Sequence, residues 1–350
     1  MPQQAPNARC NTWSFHCSAC GKCCNCAPAL SLPELFFHQS RFVGCLAIRK
    51  MKRPRPGNIL GSGHSAVAAS EADCAAFGEI AETYFHRIRR YVESDYDILL
   101  ETHGFSTPGL DPCPALGSEG KCAIHTNRKP AGCRTVPLDA LVPDRLQNLV
   151  LAERQIDAHF SGANCIKRGT NAGTLPLIRG PTVIDRHSNE AIAERRRNLQ
   201  ADKLFWGDAV FQLLEPELFS VPSSLARIPA SGFLIMSIAP VLSAIAERSE
   251  RCLLRCVEYL ESQVALIDKV LQASRLYTTE RAAASLTQLE AFARTNWALC
   301  NAMQTRRVIR ARGGASAEQS AATEAWLELT TKLTPRAPSE SGKRHVSKDS

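Results

Sequence analysis

The sequence has no long uninterrupted hydrophobic run. Its longest apolar stretch extends from Gly232 to Ala246, is shorter than the ~20 residues that a membrane-spanning helix needs, and contains Pro240. The N-terminal segment from Met1 to Phe15 is polar and lacks the apolar segment of a secretory signal. These absences predict a cytoplasmic chain that does not enter the membrane.

Aromatic residues and familiar catalytic motifs are also scarce. Only 6% of the 350 residues are aromatic, while Ala and Leu are abundant, which favours helices. No phosphate-binding glycine loop, G-x-S-x-G elbow or H-E-x-x-H motif occurs. The net charge is +8, but basic runs such as Lys50–Arg55 and Arg195–Arg197 lack interleaved aromatic residues, so nucleic-acid binding is not expected.

Cysteine, in contrast, is frequent and unevenly distributed. Of the 15 cysteines, most lie before residue 170, and only Cys252, Cys256 and Cys300 lie beyond it. In a reducing compartment, clustered cysteines are more often metal ligands than disulfides. Cys252 and Cys256 share one face of an expected helix, so we predict that they are small core residues.

The pattern of residues divides the chain into three regions. Residues 1–185 are rich in Gly and Pro and predict an irregular, cysteine-rich metal-binding domain with short helices and few strands. Residues 186–334 predict a helical bundle, and residues 335–350 a disordered polar tail. The expected fold class is therefore mainly α.

Within these regions, apolar spacing and capping signals predict individual elements. A capping box at Ser31–Glu34 predicts a short helix. Further helices are expected at 71–101, 189–215, 231–247, 249–275, 278–312 and 318–333, and short strands near 122–124 and 149–151.

The first chemical motif is the run Cys17-Ser-Ala-Cys20-Gly-Lys-Cys23-Cys24. Two intervening residues allow a tight turn to bring two sulfurs to one metal, and Gly21 supplies the backbone freedom for that turn. Because adjacent cysteines point apart, Cys23 and Cys24 could serve two metal ions or two irons of one cluster, or one of them could lie outside the ligand set.

A second set of cysteines follows about ninety residues later, at Cys113, Cys122 and Cys133, each in a loop containing Gly or Pro. Cys26, Cys45 or Cys165 could complete the ligand set, and the sequence does not choose among them. The candidate metal ligands are Cys17, Cys20, Cys23, Cys24, Cys113, Cys122, Cys133 and Cys165.

These motifs resemble the CxxCxxCC cysteine-cluster family (YkgJ-like), described as zinc- or iron-chelating proteins. The family pairs F-x-C-x-x-C-G-x-C-C, matched here from Phe15 to Cys24, with C-x-I-[YH]-x-x-R-P-x-x-C-R, matched from Cys122 to Arg134 with one extra residue. Either Arg128 or Lys129 can fill its basic position. The resemblance covers residues 15–170 and implies a metal site; a similar cluster in flagellin lysine N-methylases implies methyl transfer as an alternative.

Sulfur-only ligation by more than four cysteines favours an iron–sulfur cluster over zinc. We therefore expect a metal-cluster protein in redox or cluster-dependent transfer chemistry, with a protein or redox partner. The alternatives are a zinc-stabilised protein-interaction module and a protein lysine N-methylase. Whether the chain is an enzyme stays open, because the sequence identifies no catalytic residue.

Overall fold

The computed structural model describes residues 12–17, 21–22, 24, 26–88, 96–106, 113–170, 175–274, 280–309 and 317–328. The mainly α class is confirmed, but the prediction of few strands is wrong, since the strands form three small antiparallel sheets. The helices are α1 (Leu32–Phe37), α2 (Glu71–Tyr84), α3 (Ala131–Thr135), α4 (Gln147–Phe160), α5 (Arg186–Asp202), α6 (Asp208–Leu214), α7 (Pro222–Ala226), α8 (Ala239–Ala246), α9 (Glu250–Ser274), α10 (Glu280–Ile309) and α11 (Ala317–Glu328). The strands are β1 (Thr12–Phe15), β2 (Gly44–Lys52), β3 (Ile59–Leu60), β4 (Val67–Ala68), β5 (His86–Arg87), β6 (Tyr96–Gly104), β7 (Ile166–Arg168), β8 (Leu175–Arg179), β9 (Thr182–Val183) and β10 (Leu234–Ser237).

The first sheet has the order β7-β1-β8-β9, and its strand β1 precedes the cysteine-rich loop. Trp13 on β1 packs in a small core with Leu151 of α4, Ile178 of β8 and Ile192 of α5. Since β1 ends at Phe15, this sheet fixes the position from which the chain enters the Cys17 segment.

The second sheet has the order β10-β2-β6-β5 and carries the main core; β3 and β4 form a separate hairpin. Leu46 and Ile48 of β2 and Leu100 of β6 face helices α1, α6, α8 and α9. β10 pairs with β2, so a segment beyond residue 185 completes a sheet formed by residues before it. The boundary at 185 and the separate helical domain stay predictions, and residues 335–350 lie outside the described part of the chain.

Several helix predictions are confirmed, including the α1 capping box and helices α9 and α10. Helix α5 continues through a π-helical segment at Lys203–Gly207 into α6, and a second π-helical segment follows at Glu215–Phe219. The helix predicted at 318–333 is found as α11, and residues 329–333 lie outside the description.

Other local predictions are wrong. The helix expected to extend to residue 101 ends at Tyr84, and β5 and β6 follow it. The first part of the helix expected at 231–247 is the strand β10, because its Leu-Ile-Met-Ser segment pairs along β2. The strand expected near 149–151 lies inside α4, and Cys122 takes part in a single bridge to Leu116.

A buried ion pair joins α5 to the second sheet. Arg195 hydrogen-bonds to Glu101 of β6, and both side chains are almost completely buried. Asp202, at the end of α5, accepts hydrogen bonds from the Trp206 indole at 2.9 Å and from the backbone N–H of Leu32 at 3.3 Å. These contacts hold α1 against α5 inside the main core. Among the described helices, none has the length and apolar character needed to cross a membrane.

Candidate metal centre

The two cysteine-bearing segments contact each other directly. The backbone N–H of Cys113 donates to the carbonyl oxygen of Cys24 at 3.1 Å, although 89 positions separate the two residues. The Cys24 N–H in turn donates to the Gly21 carbonyl at 2.9 Å, which closes a tight turn. Sulfur-bearing loops that are distant in the sequence therefore share one place in the fold.

Close packing at Gly21 makes this contact possible. Gly21 has a φ of 71°, and a Cβ built there would lie 2.5 Å from the Gly120 carbonyl oxygen and 2.7 Å from Leu116 Cδ1. Any other residue would therefore push the first cysteine loop away from the second. Lys22 anchors the same turn from outside, because its Nζ donates to the Gly162 carbonyl at 2.6 Å.

The second loop folds back on itself and brings Cys113 close to Cys122. The backbone N–H of Leu116 donates to the Cys113 carbonyl at 2.7 Å, and that of Ala123 donates to the Ala115 carbonyl at 2.8 Å. Cys113 is buried and Cys122 is partly buried, and both pack against the main core.

Cys133 lies in the short helix α3, which is held by α1. Glu34 Oε1 accepts a hydrogen bond from the Ala131 N–H at 2.8 Å, while its Oε2 accepts from the Ser31 backbone and hydroxyl. A Cβ at Gly132 would lie 2.7 Å from the Ala29 carbonyl oxygen, so α3 also approaches the chain before α1 closely. The capping box predicted from the sequence thus orients a thiol-bearing loop.

Cys26, Cys113, Cys122 and Cys133 form one electrostatic group, which we call the thiol cluster. Burial raises the pKa of Cys113, and Cys122 and Cys26 raise it further. Burial raises the pKa of Cys133 to about 12, with added contributions from Cys113 and Cys122. Loss of hydration also raises the pKa of Cys26, although the residue as a whole is exposed.

Two cations face the thiol cluster. Arg41 lowers the pKa of Cys113, and its guanidinium lies 3.4 Å from the Pro114 carbonyl oxygen. Lys129 lowers the pKa of Cys133. In both thiols burial outweighs the cation, so each thiol stays protonated near neutral pH unless a metal ion displaces the proton.

The remaining predicted ligands have different surroundings. Cys17 is exposed just beyond β1. Cys165 contacts the preceding residue, because the His16 N–H donates to the Cys165 carbonyl at 3.0 Å. Cys165 packs against the small core around Trp13. Cys20 and Cys23 lie outside the described residues.

The sequence left Cys26, Cys45 and Cys165 as alternatives for completing the ligand set. Of the first two, Cys45 lies in the hydrophobic core, and Cys26 belongs to the thiol cluster. Cys45 is completely buried in β2, and its Sγ donates to the His103 carbonyl at 3.4 Å. Cys26 belongs to no motif of the resemblance; in the sequence one residue separates it from Cys24 and two separate it from Cys23. Cys252 and Cys256 are buried in the main core, as predicted.

The thiols that the structure describes do not form a closed ligand set by themselves. In the described ranges, no group of three or more His, Cys, Asp or Glu side chains is arranged closely enough to hold a metal ion. The argument that these residues suit a metal therefore depends on the chemistry of the sulfur donors in the thiol cluster. These soft sulfur donors suit zinc or an iron–sulfur cluster.

The comparisons with known proteins returned no match: no family model, curated protein or solved structure is significantly similar to the chain. The resemblance to the CxxCxxCC family stays a prediction that rests on the cysteine motifs.

Proposed function

We propose that the chain binds a cysteine-ligated metal centre, preferably an iron–sulfur cluster, between the loop at 17–26 and the loops at 113–133. The observation that carries this proposal is the Cys24–Cys113 backbone contact, together with the neighbouring thiols that raise the pKa values of Cys113 and Cys133. A cation bound among these sulfurs would stabilise their thiolate forms and so displace the protons that burial favours.

Cys26, Cys113, Cys122 and Cys133 would supply thiolates, together with Cys17, Cys20, Cys23 and Cys24 from the first motif. An iron–sulfur cluster there would supply electron transfer or cluster-dependent group transfer. The chain's own contribution is to hold the loops together and to balance thiolate charge with Arg41 and Lys129.

A zinc-stabilised interaction module is the second candidate. Ala27, Cys113, Ala115 and Ile124 all lie in the main hydrophobic core, so the cysteine loops are part of the packed interior. A metal that cross-links them would contribute directly to folding. A protein lysine N-methylase stays a third alternative, which rests on the resemblance alone.

The test is metal analysis of the full chain after anaerobic purification. Stoichiometric iron and sulfide with broad visible absorption would support the cluster, and a colourless protein with stoichiometric zinc would support the interaction module. A protein that binds neither metal would refute the proposed centre. Methyl transfer to a co-expressed protein, lost in Cys20→Ala, would support the methylase.

Ligand variants make the test specific. Cys133→Ser, Cys26→Ser, Cys17→Ser and Cys20→Ser should each lower the metal content. Cys256→Ser is the control, because that thiol is buried on α9 in the main core, and it should keep the full metal content. Full metal retention in Cys20→Ser would show that the ligand assignment is wrong.

A further inference from the structure

Two arginines from elsewhere in the chain each lie over a phenylalanine ring of helix α1, and the two phenylalanines are consecutive. The Arg128 guanidinium carbon lies 4.2 Å from the centre of the Phe37 ring, and that of Arg255 lies 5.1 Å from the centre of the Phe36 ring. Both are cation–π contacts at the same short helix, so they can be compared directly.

The two guanidinium groups differ in their hydrogen-bond partners. Arg255 donates from one terminal nitrogen to Glu258 at 3.0 Å and from the other to the Phe36 carbonyl at 3.2 Å. Both terminal nitrogens of Arg128 are shielded from solvent, and neither has a hydrogen-bond partner. A buried charged donor without an acceptor is strongly unfavourable, and a guanidinium fork matches two oxygens of one oxyanion.

The backbone of Arg128 is constrained as well. Its φ is 52°, and among the described residues it is the one non-glycine residue with a positive φ. The His38 Nε2–H donates to the Arg128 carbonyl oxygen at 3.0 Å and holds this conformation. A strained backbone conformation that the surrounding contacts stabilise is common at residues that bind ligands.

The charges around Arg128 favour an anion. Arg41 and Arg128 both lower the pKa of His38, so both cations lie near that residue, and Lys129 follows Arg128 in the chain. The nearby carboxylate of Glu34 accepts hydrogen bonds from Ser31 and Ala131. The chain therefore provides positive charge here, while this neighbouring acid is engaged elsewhere.

We propose that the Arg128 guanidinium, stacked on Phe37, binds the oxyanion group of a small ligand, either a carboxylate or a phosphate. The ligand's oxyanion would accept hydrogen bonds from Arg128 in the way that the Glu258 carboxylate accepts one from Arg255. Arg128 as a residue is only partly buried, so the ligand would reach the shielded fork through a movement of the Arg128 side chain that the proposal requires. This inference goes beyond the proposed metal centre and does not depend on it, since Lys129 and Arg41 are the cations that act on the thiols.

The experiment is a thermal-unfolding titration of the full chain with sodium acetate and with inorganic phosphate. Sodium chloride keeps the ionic strength constant, and each titration is made with metal-loaded and with metal-stripped protein. A ligand that binds the folded state raises the unfolding temperature, and the dependence on concentration gives an apparent Kd. A response to acetate identifies a carboxylate site, and a response to phosphate alone identifies a phosphate site.

Arg128→Gln should weaken the apparent Kd at least about tenfold, since it removes the charge and the fork. Arg128→Lys keeps the charge without the fork and should give an intermediate value. Arg255→Gln is the matched control and should leave the response unchanged. Equal responses of wild type and Arg128→Gln, with both folded by circular dichroism, would overturn the proposal. So would the absence of any anion-specific response in the wild type, whatever the metal content.

Discussion

Glu34 Oε1 accepts a hydrogen bond from the backbone N–H of Ala131 at 2.8 Å, which ties the start of α3 to α1. The same carboxylate closes the capping box with Ser31. One side chain thus stabilises a helix start and positions the loop that carries Cys133. The capping box at the start of α1 is therefore connected, through Glu34, to the loop of the candidate metal centre.

The first prediction concerns this coupling. Glu34→Ala should lower the free energy of unfolding by about 1–2 kcal/mol, the usual cost of losing a helix cap. It should also lower metal occupancy, because α3 loses its anchor. The measurements are urea unfolding and metal analysis. Glu190→Ala, which removes an exposed i,i+4 ion pair on α5, is the control and should change neither quantity appreciably.

The second prediction concerns the close approach of the two cysteine loops. Gly21→Ala places a methyl group 2.5 Å from the Gly120 carbonyl oxygen at a positive φ, so it should destabilise the protein and reduce metal binding. Gly57→Ala is a matched control: its φ is 84°, and nothing lies within 4 Å of the added Cβ. It should cost only the backbone strain, about 1–2 kcal/mol, and keep the metal. Equal metal loss in both variants would contradict the packing argument.

The third prediction concerns the buried Arg195–Glu101 pair. Burial would raise the pKa of Glu101, but Arg195 and, to a lesser degree, His103 and Arg49 outweigh it and lower the pKa to about 2. Arg195→Met would leave this carboxylate buried without its cation and should cost about 3–5 kcal/mol in the free energy of unfolding. The double variant Arg195→Met/Glu101→Met should recover much of that loss in urea unfolding. If it is no more stable than the single variant, the pair is not the cause.

The fourth prediction concerns the pH dependence of stability. Burial raises the pKa of Asp202 to about 7, against the opposing hydrogen bonds from Trp206 and Leu32. The folded state then holds a proton that the unfolded state releases above about pH 4. Stability from this group is complete below that pH and is lost as the pH rises through 7, by at most about 1.4 kcal/mol per pH unit.

Urea unfolding of the wild type and of Asp202→Asn between pH 4 and 8 tests this prediction. The variant should lose the decline with pH, because an asparagine oxygen still accepts the two hydrogen bonds but does not ionise. Glu101, whose pKa in the folded protein is lowered to about 2, adds an opposite slope only near the low end of this range, where the unfolded state binds its proton. This contribution is common to both proteins and cancels when they are compared. Parallel pH profiles for the two proteins would show that Asp202 does not titrate as described.

Much of the helical structure could be predicted from local signals. The capping box at Ser31 and the long amphipathic pattern of α9 depend on residues close in the sequence, and both predictions are confirmed. The strands were missed where pairing with a distant segment decides the conformation. Leu234–Ser237 is helix-compatible by composition but forms a strand, because β2 offers it an unpaired edge.

The candidate site shows the same division. The sequence by itself determined which cysteines are candidate metal ligands, since the spacing of Cys17 to Cys24 and the Gly and Pro residues around Cys113, Cys122 and Cys133 act locally on the chain. Only the tertiary structure decided which thiols meet: it brought Cys26 to the cluster and placed Cys45 in the core. The physical reason is that convergence depends on contacts such as Gly21 with Gly120 and Glu34 with Ala131, whose partners are about a hundred positions apart and leave no periodic trace in the sequence.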